Sequence, residues 1–321
     1  MTEKITPERA AVRDLCGVLL IDKPEDFTSF DLCAKLRGML RTKRIGHAGT
    51  LDPMATGLMT VLLGSATRAA ELFPDHTKRY TARFLLGTRT DTLDITGTVL
   101  EKKPVSVTQQ QLEEVLPRFR GTIQQLPPMY SAVHSDGRRL YELAREGKEI
   151  ERETREVVIH RLELTAFDSQ TGTGELDVCC SRGTYIRSLT DDIGNALGCG
   201  AVLTSLRRTE ALGFGLGQAI TLAEAQRLTD EGTIAQRLIP VCDALACYPK
   251  CTVTPAQARR YFNGGELDIE RIYELKALLP ALESPYVRVY GQLAEDGEAV
   301  FLGIGRTDRE ANALRPYKRF V

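Results

Sequence analysis

The sequence predicts an α+β protein: one large domain of mixed strands and helices, followed by a small β-rich unit. Three observations lead there. Strand-like and helix-like stretches follow one another without the regular β-α-β alternation of a parallel-sheet fold. The texture changes near residue 249, where short strands take over. Residues 127–155 hold Pro127-Pro128, Tyr130, Tyr141 and many charges but few aliphatics, as a protruding loop and helix would. With 321 residues, the chain can bury two separate cores.

Taken in order, residues 1–14 form a polar leader. Gly17-Val-Leu-Leu-Ile21 reads as a buried strand, closed by Asp22-Lys23-Pro24. Thr28 or Ser29 can cap a helix from Phe30 to Leu40, apolar at helical spacing and basic on its polar face. The Gly- and Pro-punctuated stretch from Ile45 to Gly57 reads as a loop. A strand over 58–63, a short helix around 66–72 and a long strand over 79–86 follow. Thr108 to Gln111 is a capping box for a helix running to about Phe119. Strands resume at 157–167 and 175–181, then a helix over 185–197, a strand over 201–208, and a helix capped at Thr221-x-x-Glu224. The large domain thus spans 15–248. In the unit 249–321, Thr254-Pro255 starts a helix that Asn263-Gly264-Gly265 stops. Short strands are expected at 287–290 and 299–304, and Asp268 to Leu282 reads as helical.

The net charge of −1 does not by itself mark a nucleic-acid binder, but the distribution of charge matters more than its sum. Positive charge gathers in Lys35, Arg37, Arg41, Lys43 and Arg44, and again in Arg138, Arg139, Arg145 and Lys148. Either cluster alone reads equally well as a solvated helix face. No stretch approaches the roughly 18 apolar residues of a membrane span, and the N-terminus lacks the pattern of a secretory signal, so the expected location is the cytoplasm. The eight cysteines, scattered mostly among apolar neighbours, read as reduced thiols. Cys242, Cys247 and Cys251 cluster without a C-x-x-C pair or a nearby histidine, and Asp91 with Asp94 supplies too few carboxylates for an oxygen cage. No metal and no cofactor are expected.

The stretch Gly46-His-Ala-Gly-Thr-Leu-Asp-Pro-Met-Ala-Thr-Gly57 carries the chemistry. Pro53 keeps Asp52 out of the helical region, and glycines on both sides let the backbone approach a ligand. One acid is therefore presented from a loop that a ligand can reach. Alone, an Asp-Pro in a Gly-rich loop is more often just a turn.

The whole string resembles the signature loop of the TruB family of pseudouridine synthases. Further stretches fall in that family's order: Gly17-x-Leu-x-Ile-Asp22-Lys23-Pro24, Lys78-Arg79-Tyr80 and Gly87-x-x-Thr90-Asp91-Thr92-x-Asp94. So do Pro127-Pro-Met-Tyr-Ser-Ala132, Ser181-x-Gly183-Thr184-Tyr185-Ile186-Arg187 and Leu206-Arg207-Arg208. The similarity runs from about residue 15 to 210. It implies a pseudouridine synthase domain with a mixed or antiparallel central sheet and flanking helices. The 127–155 protrusion resembles the family's thumb. Phe262-Asn-Gly-Gly265 and Phe301-Leu-Gly-Ile-Gly305 resemble the small PUA-like barrel, an RNA-binding unit, appended to bacterial members.

What the resemblance implies chemically is isomerisation of uridine 55 in the T arm of tRNA to pseudouridine, by a stand-alone monomer with no required protein partner. Asp52 is then the catalytic carboxylate, nucleophile or base at the sugar, and Arg187 its ionic partner. Tyr80 stacks on the flipped uracil and helps with the C5 proton. Tyr185 and Leu206 line the pocket, His47 contacts the RNA where the base has left the stack, and Lys23 and Asp91 support the surroundings of the loop. Arg37, Arg41, Lys43, Arg44, Arg138, Arg139 and Lys148 are the expected contacts to the RNA backbone. Two other readings compete: a tRNA-binding and folding factor without chemistry, and a guide-RNA-dependent synthase. Intact Asp52, Tyr80 and Arg187 speak against the first, and the bacterial-style thumb and the lack of a basic tail against the second. Activity on naked tRNA separates them.

Overall fold

A computed structural model describes residues 15–131, 133–135, 137–294 and 297–320. The 1–14 leader lies outside the described residues. Fourteen strands belong to the large domain: β1 Gly17–Lys23, β2 Ile45–Ala48, β3 Thr56–Leu63, β4 Lys78–Leu86, β5 Thr88–Thr90, β6 Val99–Lys102, β7 Gly121–Gln125, β8 His134–Ser135, β9 Arg138–Arg139, β10 Arg155–Asp168, β11 Thr173–Cys180, β12 Ala201–Ala211, β13 Phe214–Gly215 and β14 Ile220–Thr221. Ten of them form one sheet in the order β14-β1-β3-β12-β4-β11-β10-β7, with β2 on β3 and β13 on β12. The sheet is mixed: β1 with β14 and β3 with β12 run parallel, and the other pairs antiparallel.

β1 shows how the two faces are used. Leu19 and Ile21 join a core with helices α1 (Ser29–Leu40), α2 (Gln109–Val115), α4 (Ile186–Ala196) and α5 (Leu222–Asp230). Val18 and Leu20 face the opposite way, onto Ala66, Phe73, Tyr248, Ile304 and Phe320. A strand covered on both faces must be apolar at successive positions, which is why Gly17–Ile21 does not alternate. Thr28 caps α1 in a full capping box with Asp31, and the next residue, Ser29, meets Leu51 of the loop carrying Asp52. The short α3 (Leu140–Arg145) and the β8–β9 hairpin are the helix and strands of the 127–155 protrusion among the described residues.

The C-terminal unit is a curled five-stranded sheet, β15 (Lys250–Val253), β17 (Tyr286–Gly291), β18 (Val300–Asp308), β19 (Ala313–Arg319) and β16 (Leu267–Asp268) in that order. Between its strands lie α7 (Pro255–Phe262) and α8 (Tyr273–Leu278), after the single-turn α6 (Val241–Ala244). The segment read as one helix, 268–282, is α8 flanked by two 3₁₀ turns. The unit is locked onto the 64–72 segment: Ser65 Oγ donates to the Phe320 carbonyl at 2.8 Å, Arg68 to that of Arg319 at 3.0 Å, and the Tyr248 hydroxyl to that of Leu72 at 2.7 Å.

Two sequence expectations are corrected. Ile45–Ala48, read as loop, is a strand paired with β3, so its strand character comes from pairing and not from its own Gly-rich composition. The helix expected around 66–72 is a 3₁₀ turn, Gly64–Ala69.

One rung of the sheet positions the site. Lys23 on β1 pairs with Gly57 on β3, Gly57 with Arg208 on β12, and Arg208 with Tyr80 on β4. Neighbours on a rung point to one face, and this one is the helix-covered face. Gly57 has φ +99°, and a Cβ there would stand 2.3 Å from the Arg208 carbonyl oxygen and 2.8 Å from its nitrogen. We expect Gly57→Ala to cost at least about 2 kcal/mol of stability in urea unfolding. A loss below about 0.5 kcal/mol would show that the rung yields easily.

Candidate active site

The loop between β2 and β3 is held through main-chain groups from Gly49 to Ala55. Arg208 Nη2 donates to the Gly49 carbonyl at 3.2 Å and Nη1 to that of Thr50 at 3.3 Å. Buried Ser29 takes both groups of Leu51: its hydroxyl accepts from the amide at 2.9 Å and lies 3.1 Å from the carbonyl. The Asp52 carbonyl accepts from the Ala55 amide at 3.1 Å. The Pro53 carbonyl accepts from Lys23 Nζ at 3.1 Å and from the Asp26 amide at 3.0 Å. Asp52 is thus presented from a backbone fixed on both sides, with its side chain 36% exposed. Such a carboxylate needs no rearrangement to meet a substrate.

Arg187, on the first turn of α4, faces Asp52 and is almost fully buried. Its Nε lies 2.9 Å from Asp52 Oδ2 and 3.8 Å from Asp94 Oδ2. Nη1 donates to the Thr92 carbonyl at 3.0 Å and Nη2 to that of Tyr130 at 2.9 Å. One guanidinium therefore joins the Asp52 loop, the 92–94 turn and the base of the thumb. Asp94 is itself buried. Its Oδ1 accepts from Thr92 Oγ1 at 2.8 Å, from Thr96 Oγ1 at 2.5 Å and from the Thr96 amide at 3.0 Å, which leaves Oδ2 to Arg187.

Here the sequence reading needs correction. Of the two aspartates in Asp91-Thr-Leu-Asp94, Asp91 was assigned to the site. It is exposed and accepts from the Thr98 amide at 2.8 Å, away from Arg187. Leu93 adopts φ +63°, and this turn carries Asp94 inward instead.

Tyr80 is buried on β4, and burial pushes its phenol up to about 12, with Arg208 pulling the other way. Leu206 is buried on the same face of β12. Tyr185, half-buried, caps α4; its amide donates to Gln125 Oε1 at 2.7 Å, and Gln125 Nε2 returns to its carbonyl at 3.1 Å. His47, on β2, is lowered from its ordinary value by burial and by Arg208, so it is neutral at pH 7, and its Nδ1 has no hydrogen-bond partner among the described residues.

Lys23 has no exposed surface. Its ammonium donates to the carbonyls of Pro24 (2.8 Å) and Phe27 (2.6 Å) as well as Pro53. Sequence reasoning missed Arg208, Ser29, Gln125 and Asp94. The Leu206-Arg207-Arg208 run was the available signal for Arg208: on an alternating strand one of two adjacent arginines must face inward. Arg207 faces the other way and forks onto Asp22 at 2.7 and 3.1 Å.

The expected RNA-backbone residues fall into two groups. Arg41, Lys43 and Arg44 are exposed at the end of α1, with no ion pair among the described residues. Arg37 is half committed, donating to the Ile45 carbonyl at 2.8 Å and lying 5.5 Å over the Phe30 ring. Arg138 and Lys148 on the thumb both pair with Glu146, whose carboxyl they hold down at about 2. They are not free cations as the sequence suggested. The side chain of Arg139 lies outside the described residues.

The chain shares its fold with a chain in the crystal structure of a Cbf5-Nop10-Gar1 complex, with a TM-score of 0.69 at 23% identity, covering 98% of this chain and 87% of the other. Residues 37–186 match the family model of the TruB family pseudouridylate synthase N-terminal domain, and 187–246 the tRNA pseudouridylate synthase B C-terminal domain. The chain is 42% identical to tRNA pseudouridine synthase B of Ralstonia nicotianae over 98% of both chains. It is 41% identical to that of Stutzerimonas stutzeri over 93% of both. To that of Azoarcus sp. it is 49% identical, over 78% of this chain and 83% of the relative. The chain belongs to the TruB family of pseudouridine synthases.

Burial lowers the Lys23 ammonium to about 8, against the pull of Asp52. Below about pH 8 the amine is charged in folded and unfolded chains alike, and its burial works against folding. Between about 8 and 10.5 the folded chain gives up its proton first, so stability rises with pH. Urea unfolding should show the wild type gaining on Lys23→Met across that window, by an amount on the order of 3 kcal/mol. A difference independent of pH would contradict the burial of a charged amine.

Proposed function

We propose that this protein isomerises uridine 55 in the T arm of tRNA to pseudouridine. The observation that carries the reading is Asp52, held on a fixed loop and ion-paired to buried Arg187, on the same face as Tyr80. The relatives at 41–49% identity are named tRNA pseudouridine synthase B, which supports pseudouridine formation in tRNA.

The reaction breaks the uracil N1–C1′ bond, turns the base over and forms a C5–C1′ bond. Glycosidases set two carboxylates around such a bond because water must be activated. Here no water enters, and one carboxylate suffices. The target base is extruded from the RNA and held between the Asp52 loop, Tyr80 and Leu206. Arg187 keeps Asp52 ionised and aimed. Asp52 acts at the sugar, and Tyr80 packs on the base and handles the C5 proton. The free cations Arg41, Lys43 and Arg44 offer phosphate contacts that position the RNA without reading its sequence. The enzyme acts as a monomer in the cytoplasm, without a protein partner or guide RNA. Among the described residues no helix is long and apolar enough to cross a membrane.

The test uses an unmodified tRNA transcript, with pseudouridine mapped by carbodiimide adduct and primer extension. Wild type alone should give a stop at uridine 55, and Asp52→Asn should be slower by at least about a thousandfold while still binding the RNA. Tight binding by wild type with every uridine left intact would favour a binding and folding factor.

A further inference from the structure

Arg208 is the largest side chain with no exposed surface among the described residues. Among the described residues no carboxylate pairs with it. Its partners are the carbonyls of Leu58 (2.7 Å), Thr50 and Gly49, and the Met59 sulfur at 3.6 Å. Burying a charge without an opposite charge is costly, and an apolar side chain would fill the place without that cost. Loop carbonyls explain part of its presence. Its register explains the rest: Arg208 and Tyr80 are direct cross-strand partners on one face, both buried, and the guanidinium pulls the phenol down.

An arginine can only donate. The Tyr80 oxygen must therefore act as acceptor toward Arg208, and its own proton is turned away from it. We propose that Arg208 is a positioning residue for Tyr80, orienting the phenol as an acceptor and favouring its phenolate at the step where C5 loses its proton. This rests on the isomerase reading above. After C5–C1′ bond formation, C5 still carries its hydrogen. The C5–H bond breaks, its electron pair forms the C5–C6 double bond, and the C6–N1 π pair moves to N1, which takes a proton from solvent. The C5 proton goes to the Tyr80 oxygen, and the phenol later returns it to solvent.

The surroundings fit that task. Lys23 from β1, His47 from β2 and Lys78 from β4 all face Arg208, and its charge helps push each of them down. Burial opposes the phenolate most strongly and Asp52 opposes it from the loop, and Arg208 is the group that favours it.

The test places 3-fluorotyrosine at position 80 and follows its ¹⁹F shift with pH, which needs no turnover. In Arg208→Gln the titration midpoint should rise by about one unit or more. In Arg208→Lys the single-turnover rate on tRNA transcript should fall about tenfold or more, with tRNA affinity unchanged, and the more acidic fluorotyrosine should recover part of the loss. A midpoint moving by less than about 0.3 unit overturns the proposal. So does an Arg208→Lys enzyme whose rate at saturating RNA is normal. If Arg208→Gln does not fold, the midpoint is read in Arg208→Lys, where the shortened donor should raise it as well. Failure of the wild type to make any pseudouridine would sink the isomerase reading and leave the ¹⁹F result standing on its own.

Discussion

Two buried cations hold the loop that presents Asp52, and the rest of the site follows from them. Lys23 and Arg208 flank Gly57 on one rung of the central sheet, one grasping the Pro53 carbonyl and the other those of Gly49 and Thr50. Between the two grips Ser29 takes both main-chain groups of Leu51. Glycine at 57 is a steric requirement: only without a Cβ can β12 come close enough to bring Arg208 beneath the loop. The arrangement places positive charge under the main chain and leaves the one carboxylate on top, facing the open side. Carbonyl oxygens, not carboxylates, answer the buried charges, so Asp52 is not spent in neutralising them.

Arg187 serves the opposite side of the same carboxylate. Its Nη groups donate to carbonyls of the 92–94 turn and of the thumb base, and its Nε faces Asp52 and Asp94. Closure or displacement of the thumb would therefore be felt at Asp52 through a single side chain. The thumb's own cations, Arg138 and Lys148, are held by Glu146. Phosphate contact there would first have to break those pairs, whereas Arg41, Lys43 and Arg44, just past the end of α1, are exposed with no ion pair among the described residues.

Much of this was legible in the sequence. The long strands, the capped helices and the change of texture near 249 followed from periodicity and capping signals. Asp52, Tyr80 and Arg187 were found through motif resemblance, and the structure brings them to one face. What could not be read depended on tertiary partners. β2 is a strand only because β3 pairs with it. Asp91 and Asp94 stand three residues apart in nearly the same chemical setting, and a left-handed Leu93 decides which of them turns inward. Arg208 looks like any surface arginine until its register beside Gly57 and Tyr80 is known. The thumb's basic residues looked free because the sequence does not say that Glu146 reaches both.

The central claim is that the Asp52 loop is fixed before any RNA arrives. Hydrogen exchange at the Leu51 amide, measured in the free enzyme and with tRNA bound, tests it most directly. A loop held by Ser29, Lys23 and Arg208 predicts strong protection in the free enzyme and little change on binding. Exchange at the rate of an open loop, with protection appearing only in the complex, would mean that the RNA organises the site and the buried cations do not.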